Sequence, residues 1–554
     1  MSDSDSVSHC DAESLADPGR RRASKALLAT LSLPGTWLMA CTSTGGRSAR
    51  QVADRAATSP VEAAPSAQAA AASLGPADHR LVNRLTWGAC DHELARVQAM
   101  GRAAYLRAQL APDLSVPLPE PAQAMVQALS ISQRALPDLL QDLATQREEA
   151  ERLSDDTARQ AARQALQREL GRLGHEAASR HLMRALYSPH QLLEHMTWFW
   201  FNHFNVFQHK QVVRAMVGDY EERAIRPHAL GRFRDLLGQV TRHPAMLRYL
   251  DNDQNAVNRP NENHARELLE LHTLGVDAGY TQRDVQELAR VLTGHGQAHP
   301  GPPPRLRREW AGLWLRDGAY EFHPARHDFG DKQVLGVQIK GRGAAELDQV
   351  LDLLARHPAT ARRVCTKVAV YLLADQPPAD LVDAMVQAYQ RSSGHMGEVL
   401  GVLLRAPAFT QAEPGKFKDP MHYVVSAVRA AYDDKVILNP RPMVNWLNRM
   451  GQGLYNRQTP DGYPMDAAAW SSAGQMAVRF EVARALGASG AGLFRPEGEA
   501  QPAGRPAFPQ LARPTYYQFV RPSLHADTRQ ALDAATSAQE WNTLYLSSPE
   551  FMYR

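Results

Sequence analysis

The chain has 554 residues, of which 44% are hydrophobic and 22% charged. Those proportions exclude collagen, a coiled-coil rod and wholesale disorder. Its 62 basic residues nearly balance 59 acidic ones, leaving a formal charge of +3, which removes the electrostatic case for a dedicated nucleic-acid binder. Four cysteines are too few for a disulfide framework at this length.

The first 41 residues read as an address. A polar stretch leads to Arg20-Arg21-Arg22 and Lys25, followed by a mildly apolar run from Ala26 to Ala40. That run is too short for an ordinary membrane span and is interrupted by Pro34 and Gly35. A charged start before an apolar middle is the order of an export signal. GRRRASK resembles a twin-arginine signal, and LMAC, Leu38 to Cys41, resembles a lipoprotein cleavage box with Cys41 as the lipidated residue. The alternative is an N-terminus in which Cys41 has no role. Residues 42–76 are rich in Ala, Ser, Thr and Gln, and read as a flexible tether too poor in large apolar residues to fold. Cys90 and Cys365 remain for the body, as one disulfide or two buried thiols.

The body, 77–554, reads as mainly α. The stretch 136–187 is dense in helix formers with apolar residues three and four apart, as one long helix or two antiparallel ones. It belongs to a projecting helical insert near 118–180. Helices are predicted over 343–357, 358–375, 378–392, 396–406, 419–434, 465–487 and 525–547. The pattern breaks at 298–342, where four prolines precede GLWLRDGAYEF and KQVLGVQIKG. These strings predict short strands, with Asp317-Gly318 as a hairpin turn. Long loops are expected at 298–305 and 487–514, and no fixed-period repeat is present.

Three segments carry chemistry. In HMTWFWFNHFNVF, residues 195–207, six aromatics fall within ten positions. They surround the helix, so it is expected to be buried on all sides. Asn202 and His203 inside it need polar partners, because an unpaired buried polar group costs about 1–3 kcal/mol. They are either satisfied core residues or site residues. The second segment runs from Pro260 to His295. Pro260-Asn261 and Gly275 suit the two ends of a helix. Glu262, Arg266 and Glu270 form a ladder at four-residue steps, with Glu267 beside it. Thr281 caps a second helix bearing Asp284, Glu287 and Arg290. The pair is either a structural ion network or a pocket able to do acid/base work or hold a metal. His264 and His272 stand roughly 12 Å apart by helix rise, too far to share an ion. In the third segment, EFHPARHDFGDKQVLG, the loop residues His323, His327 and Asp328 are either solvated or poised to ligate. There is no G-x-S-x-G, Walker loop, dinucleotide glycine fingerprint, haem-attachment string or HExxH.

Taken in order, these strings resemble a bacterial family known as domain of unknown function 1800. The resemblance begins at HRLVNRLTWGACDHELARVQAMGRAAYLRAQLAP and continues through FWFNHF and HPAMLRYLD to NENHARELLELHTLG and YTQRDVQELARVLTG. It goes on through HDFGDKQVLG, KFKDPMHYVVSAVRA and LNRMGQGLYNRQTPDGYP, with Trp470 and Arg479, to SSPEFMYR. Matching its motifs points to Asn202, His203, Glu262, Arg266, Glu267, Glu270, Asp284, Arg290, His327, Asp328 and Lys332. His264 stands where that family usually carries an aromatic. The resemblance implies an exported, largely helical protein, often encoded beside an exported sulfatase-like protein. It brings no activity with it.

The favoured expectation is a periplasmic or outer-membrane enzyme, with a polar pocket between the 195–207 helix and the 261–294 helix pair. His203, Glu262, Glu267, Glu270 and Asp284 would do the acid/base chemistry. Asn202, Arg266, Arg290 and Lys332 would hold an anionic group. His203, His327 and Asp328 would ligate a divalent metal if one binds. The other expectation is a non-catalytic envelope protein that binds a polysaccharide or a partner protein.

Overall fold

The structure is a computed structural model that describes residues 74–298, 301–411, 415–497 and 507–554. Arg20–Arg22, Cys41 and the tether up to residue 73 lie outside the described residues, as do parts of both expected long loops. The described chain is mainly α, with two small antiparallel sheets. None of its helices is long and apolar enough to cross a membrane.

At the centre runs the Gln191–His203 helix, buried at every residue except the half-buried Asn202. Its aromatic surround allows this. Phe199, Trp200, Phe201 and Phe204 pack edge-on, stacked or tilted against one another and against Phe233, Tyr220 and Tyr455. Trp200 satisfies its indole by donating to the Ala229 carbonyl at 2.8 Å. Glu194 is buried against Arg226, which lies 2.6 Å away.

The 136–187 stretch forms two helices, Leu136–Arg152 and Asp156–Tyr187. They fold back on each other across three residues. Their outer part is solvent-exposed, whereas the second helix is largely buried from Leu170 onward. The expected helices from 343 to 434 are present as Ala345–Arg356, Pro358–Leu372, Ala379–Arg391, Met396–Arg405 and Pro420–Tyr432. Two differ in detail. The 465–487 segment holds a 3-10 turn at Ala467–Ala469 and is α-helical only from Ala473, where Ser472 caps it, and 525–547 splits into Ala526–Asp533 and Ala538–Ser547.

Both expected strand regions form. Leu315–Asp317 pairs antiparallel with Tyr320–Phe322, so the turn is Gly318-Ala319, one residue later than predicted. The shift puts glycine, with φ of 56°, at the position needing left-handed backbone. Lys332–Val334 pairs with Val337–Ile339 through Leu335-Gly336, both with positive φ, as a tight primed turn requires. The sheet gains a third strand that the periodicity did not indicate, His295–Gln297 on the other edge of Tyr320–Phe322. Cys90 and Cys365 are free and buried.

Candidate functional site

The helix from Asn263 to Glu267 continues as a wider π turn, Leu268–Thr273. Thr273 donates to the Leu268 carbonyl five residues back, at 2.6 Å, and Gly275 ends the helix with φ of 99°. The predicted ladder closes along it. Arg266 lies 3.1 Å from Glu262 and 3.5 Å from Glu270, and Gln282 of the next helix donates to Glu262 at 2.7 Å. Glu267 makes no hydrogen bond to a described residue. It is half-buried, and burial together with Glu270 pushes its carboxyl above the usual range.

Asp284 acts as a cap. It accepts from the Thr281 N–H at 2.8 Å and from the Leu335 N–H at 2.7 Å, tying the Gln282–Val291 helix to the second sheet. Arg290 grips Asp328 with two bonds, at 2.7 and 3.1 Å, and reaches Glu287 at 2.9 Å. Lys332 turns inward and pairs with Glu346 at 2.5 Å. His327 contacts the other Glu346 oxygen at 2.9 Å and the Thr293 carbonyl at 2.7 Å. Two backbone N–H groups, of Arg342 and Gly343, complete the set around Glu346. Burial works against ionisation of Glu346, but the bonds from His327 and Lys332 hold its carboxyl below the usual range.

His203 packs against the Leu268–Thr273 turn, between the His272 carbonyl at 3.1 Å and the Lys367 amine at 3.0 Å. Burial, with Lys367 beside it, drives its ring well below the ordinary imidazole range, so it is neutral at pH 7. Asn202 is locked by two bonds to the Tyr463 backbone, at 2.9 and 2.6 Å. The partners that had to reach this aromatic helix are thus a lysine and two stretches of backbone.

The predicted residues fall into three bonded sets, of which the second and third meet at the Leu268–Thr273 turn through the bond from His203 to the His272 carbonyl. The first holds Arg290, His327, Asp328 and Lys332 near Glu346, with Asp284 capping the same helix as Arg290; the second is the ladder at Arg266 with Glu267 beside it; the third is His203 and Asn202. The expected metal set His203, His327 and Asp328 is divided between the first and third. Each of its members has its own partner, and among the described residues no group of three or more His, Cys, Asp or Glu side chains is placed to hold a metal ion.

A cavity of about 530 Å³ opens in a different place, a size suited to a small organic ligand. Its walls come from the Pro76–Leu85 helix and the loop after it, from Lys418 and the Pro420–Tyr432 helix, from a π turn at Tyr516–Val520, and from the C-terminal residues 549–553. Asp419 and Pro420 form a standard helix start, with the Asp419 carboxylate accepting from the His422 N–H at 2.9 Å. That start fixes Lys418 at the helix mouth. Across from it the chain end runs antiparallel. Lys418 N–H donates to the Met552 carbonyl at 2.8 Å, and Arg554 N–H to the Lys416 carbonyl at 3.0 Å.

Lys418 is buried, with its Nζ 3.9 Å from the centre of the Phe551 ring. It makes no side-chain hydrogen bond or ion pair to a described residue. Arg479 and Arg554, both buried, lie close enough to oppose another positive charge. Burial first, and then these two cations, pushes the Lys418 amine down to about 7. Behind it, Asp419, His422, His195 and Arg554 make one continuous line. Asp419 meets His422 Nδ1 at 3.0 Å, His422 contacts His195 through their Nε2 atoms, and Arg554 reaches His195 at 3.1 Å. Trp87 packs on both imidazoles, with ring centres at 4.5 and 4.6 Å.

Reasoning from charge patterns missed Lys418, His422 and Glu346. A usable signal was present for the first two. HRLVNRLTWGAC, KFKDPMHYVVSAVRA and SSPEFMYR, which contribute much of the cavity wall, are among the strings that carry the family resemblance.

No curated protein and no solved structure matches the chain. One family model does, that described as Protein of unknown function (DUF1800), over residues 80–553. With nearly the whole described body matched, the chain belongs to the DUF1800 family.

Proposed function

We propose that this protein is an exported, lipid-anchored enzyme of the cell envelope whose reaction takes place in the Lys418 cavity. The observation that carries the reading is a buried lysine at the wall of a ligand-sized space, with no carboxylate or hydrogen-bond acceptor holding its amine among the described residues. An unpaired buried charge is costly and a fold does not need one; perturbed titratable groups in cavities mark functional sites. By contrast Glu262, Glu270, Asp284, Arg290 and Asp328 have partners that account for them structurally. The export signal and the LMAC box support the address, and a co-encoded sulfatase-like protein is a partner to test.

A second reading, a non-catalytic envelope scaffold, is favoured by the interlocked ion pairs of 262–290 and 328–346. One experiment tests the anchor and a second separates the two readings. Labelled palmitate supplied to cells should enter the full chain and be absent from Cys41→Ser; equal labelling would refute the anchor. Melting temperatures of the purified protein should rise with small organic carbonyl compounds or alcohols, and the rise should shrink when a bulky side chain replaces Ala430 in the cavity wall. A wild-type protein indifferent to every such compound would leave the scaffold reading.

A further inference from the structure

We infer that Lys418 forms an imine with the carbonyl carbon of an aldehyde or ketone bound in this cavity. The inference rests on the reading of the cavity as the ligand site and goes one step beyond it, to the class of substrate.

Phe551 lies beside Lys418, and Tyr545, Tyr516 and Leu511 add aromatic and apolar surface to a wall that also carries polar groups. A lysine waiting for an anion would be expected to sit where its ammonium is stable, hydrated or paired. Lys418 is neither. Its neighbours Arg479 and Arg554 are cations, and His79 across the cavity is pushed down to about 4 by burial and by Lys418 itself. The acidic groups on the wall are committed elsewhere. Glu550 accepts from the His525 N–H at 2.8 Å and from the Thr528 hydroxyl at 3.1 Å. Asp91 accepts from the Thr515 N–H at 3.1 Å, with Arg513 nearby at 3.9 Å. Asp419, next in the chain, is turned to His422. Among the described residues, the charged groups on the wall and beside Lys418 are thus either other cations or acids bonded to something else. A desolvated lysine beside other cations is the arrangement that makes an amine nucleophilic at neutral pH. Cys90, also on the wall, is unsuited to the role, since burial pushes its thiol up to about 12.

The step balances within the site. The Nζ lone pair attacks the carbonyl carbon and opens the C=O bond, and one amine proton moves to the oxygen to give a carbinolamine. The second amine proton leaves with that hydroxyl as water, and the C=N bond forms. No oxidant or reductant is required.

The test treats the full-length protein with benzaldehyde and sodium cyanoborohydride, which reduces an imine to a stable benzylamine, and maps the adduct by peptide mass spectrometry. Benzyl alcohol, of similar shape without the carbonyl, reports cavity occupancy by melting temperature. The expected result is an adduct at Lys418 forming at least tenfold faster than at the exposed Lys340, with a rate that rises through pH 7. It should be slowed by benzyl alcohol, and absent at that position in a folded Lys418→Met protein. If benzyl alcohol raises the melting temperature but Lys418 labels no faster than Lys340, the imine is wrong and the cavity reading stands. If benzyl alcohol has no effect and no adduct forms at Lys418, both fall.

Discussion

Lys332 Nζ stands 2.5 Å from Glu346 Oε2, and both side chains are fully buried. The pair links the second sheet to the Ala345–Arg356 helix, and His327 and two backbone N–H groups fill the remaining carboxylate positions. Breaking a buried pair by removing one partner leaves an uncompensated charge, at about 3–5 kcal/mol. Glu346→Gln is therefore expected to lower the unfolding free energy from urea titration by that order. Glu346→Gln combined with Lys332→Met should recover much of it, because no buried charge is then left alone. A single variant as stable as wild type would refute the role.

The same carboxyl sets an acid limb. Its folded-state titration lies below the usual carboxylate range, so its contribution is complete above the unfolded value, about 4.3. It is lost as pH falls through the lower folded value. Wild-type stability should fall steeply below about pH 4, and the Glu346→Gln protein should show a shallower slope there in urea titrations at stepped pH.

Gly462 has φ of 77°, and a Cβ there would overlap the carbonyl oxygen of Asn202. That close approach lets Asn202 bond both the N–H and the C=O of Tyr463 and pins the 456–463 loop. Gly462→Ala must move the loop away from the central helix. Asn202→Ala leaves two backbone groups unpaired, at about 1–3 kcal/mol for each that stays buried. Both variants should speed amide exchange in 456–463 relative to the Gln191–His203 helix. Unchanged exchange in the loop would contradict the pinning.

His264 is fully buried, and neither ring nitrogen has a hydrogen-bond partner among the described residues. Burial pushes it down to about 3. Such a ring folds only neutral, so stability is present above the unfolded value of about 6.5 and erodes as pH falls toward the folded one. The family resemblance puts an aromatic at this position. His264→Phe should raise stability by about 1 kcal/mol at pH 7 and by more at pH 5, as measured by thermal unfolding. A loss at both pH values would mean that the ring has a partner or that phenylalanine does not fit.

These residues show how far the sequence could be read. Helices with a clear apolar period and hairpins with a glycine turn were legible because their causes are local. So was the pairing of Glu262, Arg266 and Glu270, which depends only on helical spacing. Asn202, Arg290, Asp328 and Lys332 could be selected, but their partners could not. Glu346 lies 14 residues from Lys332 and 19 from His327, on a helix whose pattern gives an acidic residue in its first turn no special weight. Lys418 was hidden most completely. In KFKDP it looks like any solvated lysine, and its burial depends on the chain end pairing beside it and on Phe551, more than a hundred residues away. No periodicity encodes that meeting, and only tertiary packing creates it.

The strain at Lys418 gives a prediction that does not depend on knowing a substrate. A folded-state value of about 7 against an unfolded value of about 10.4 means the fold resists protonating this amine. The penalty is complete below pH 7, shrinks as pH rises between the two values, and is gone above the unfolded one. Lys418→Met keeps the aliphatic stem and removes the charge, so it should be more stable than wild type at pH 6, by about 1–4 kcal/mol. The two proteins should converge by about pH 10. If Lys418→Met is instead less stable at pH 6, the ammonium has a stabilising partner, and the cavity loses its claim to a reactive amine.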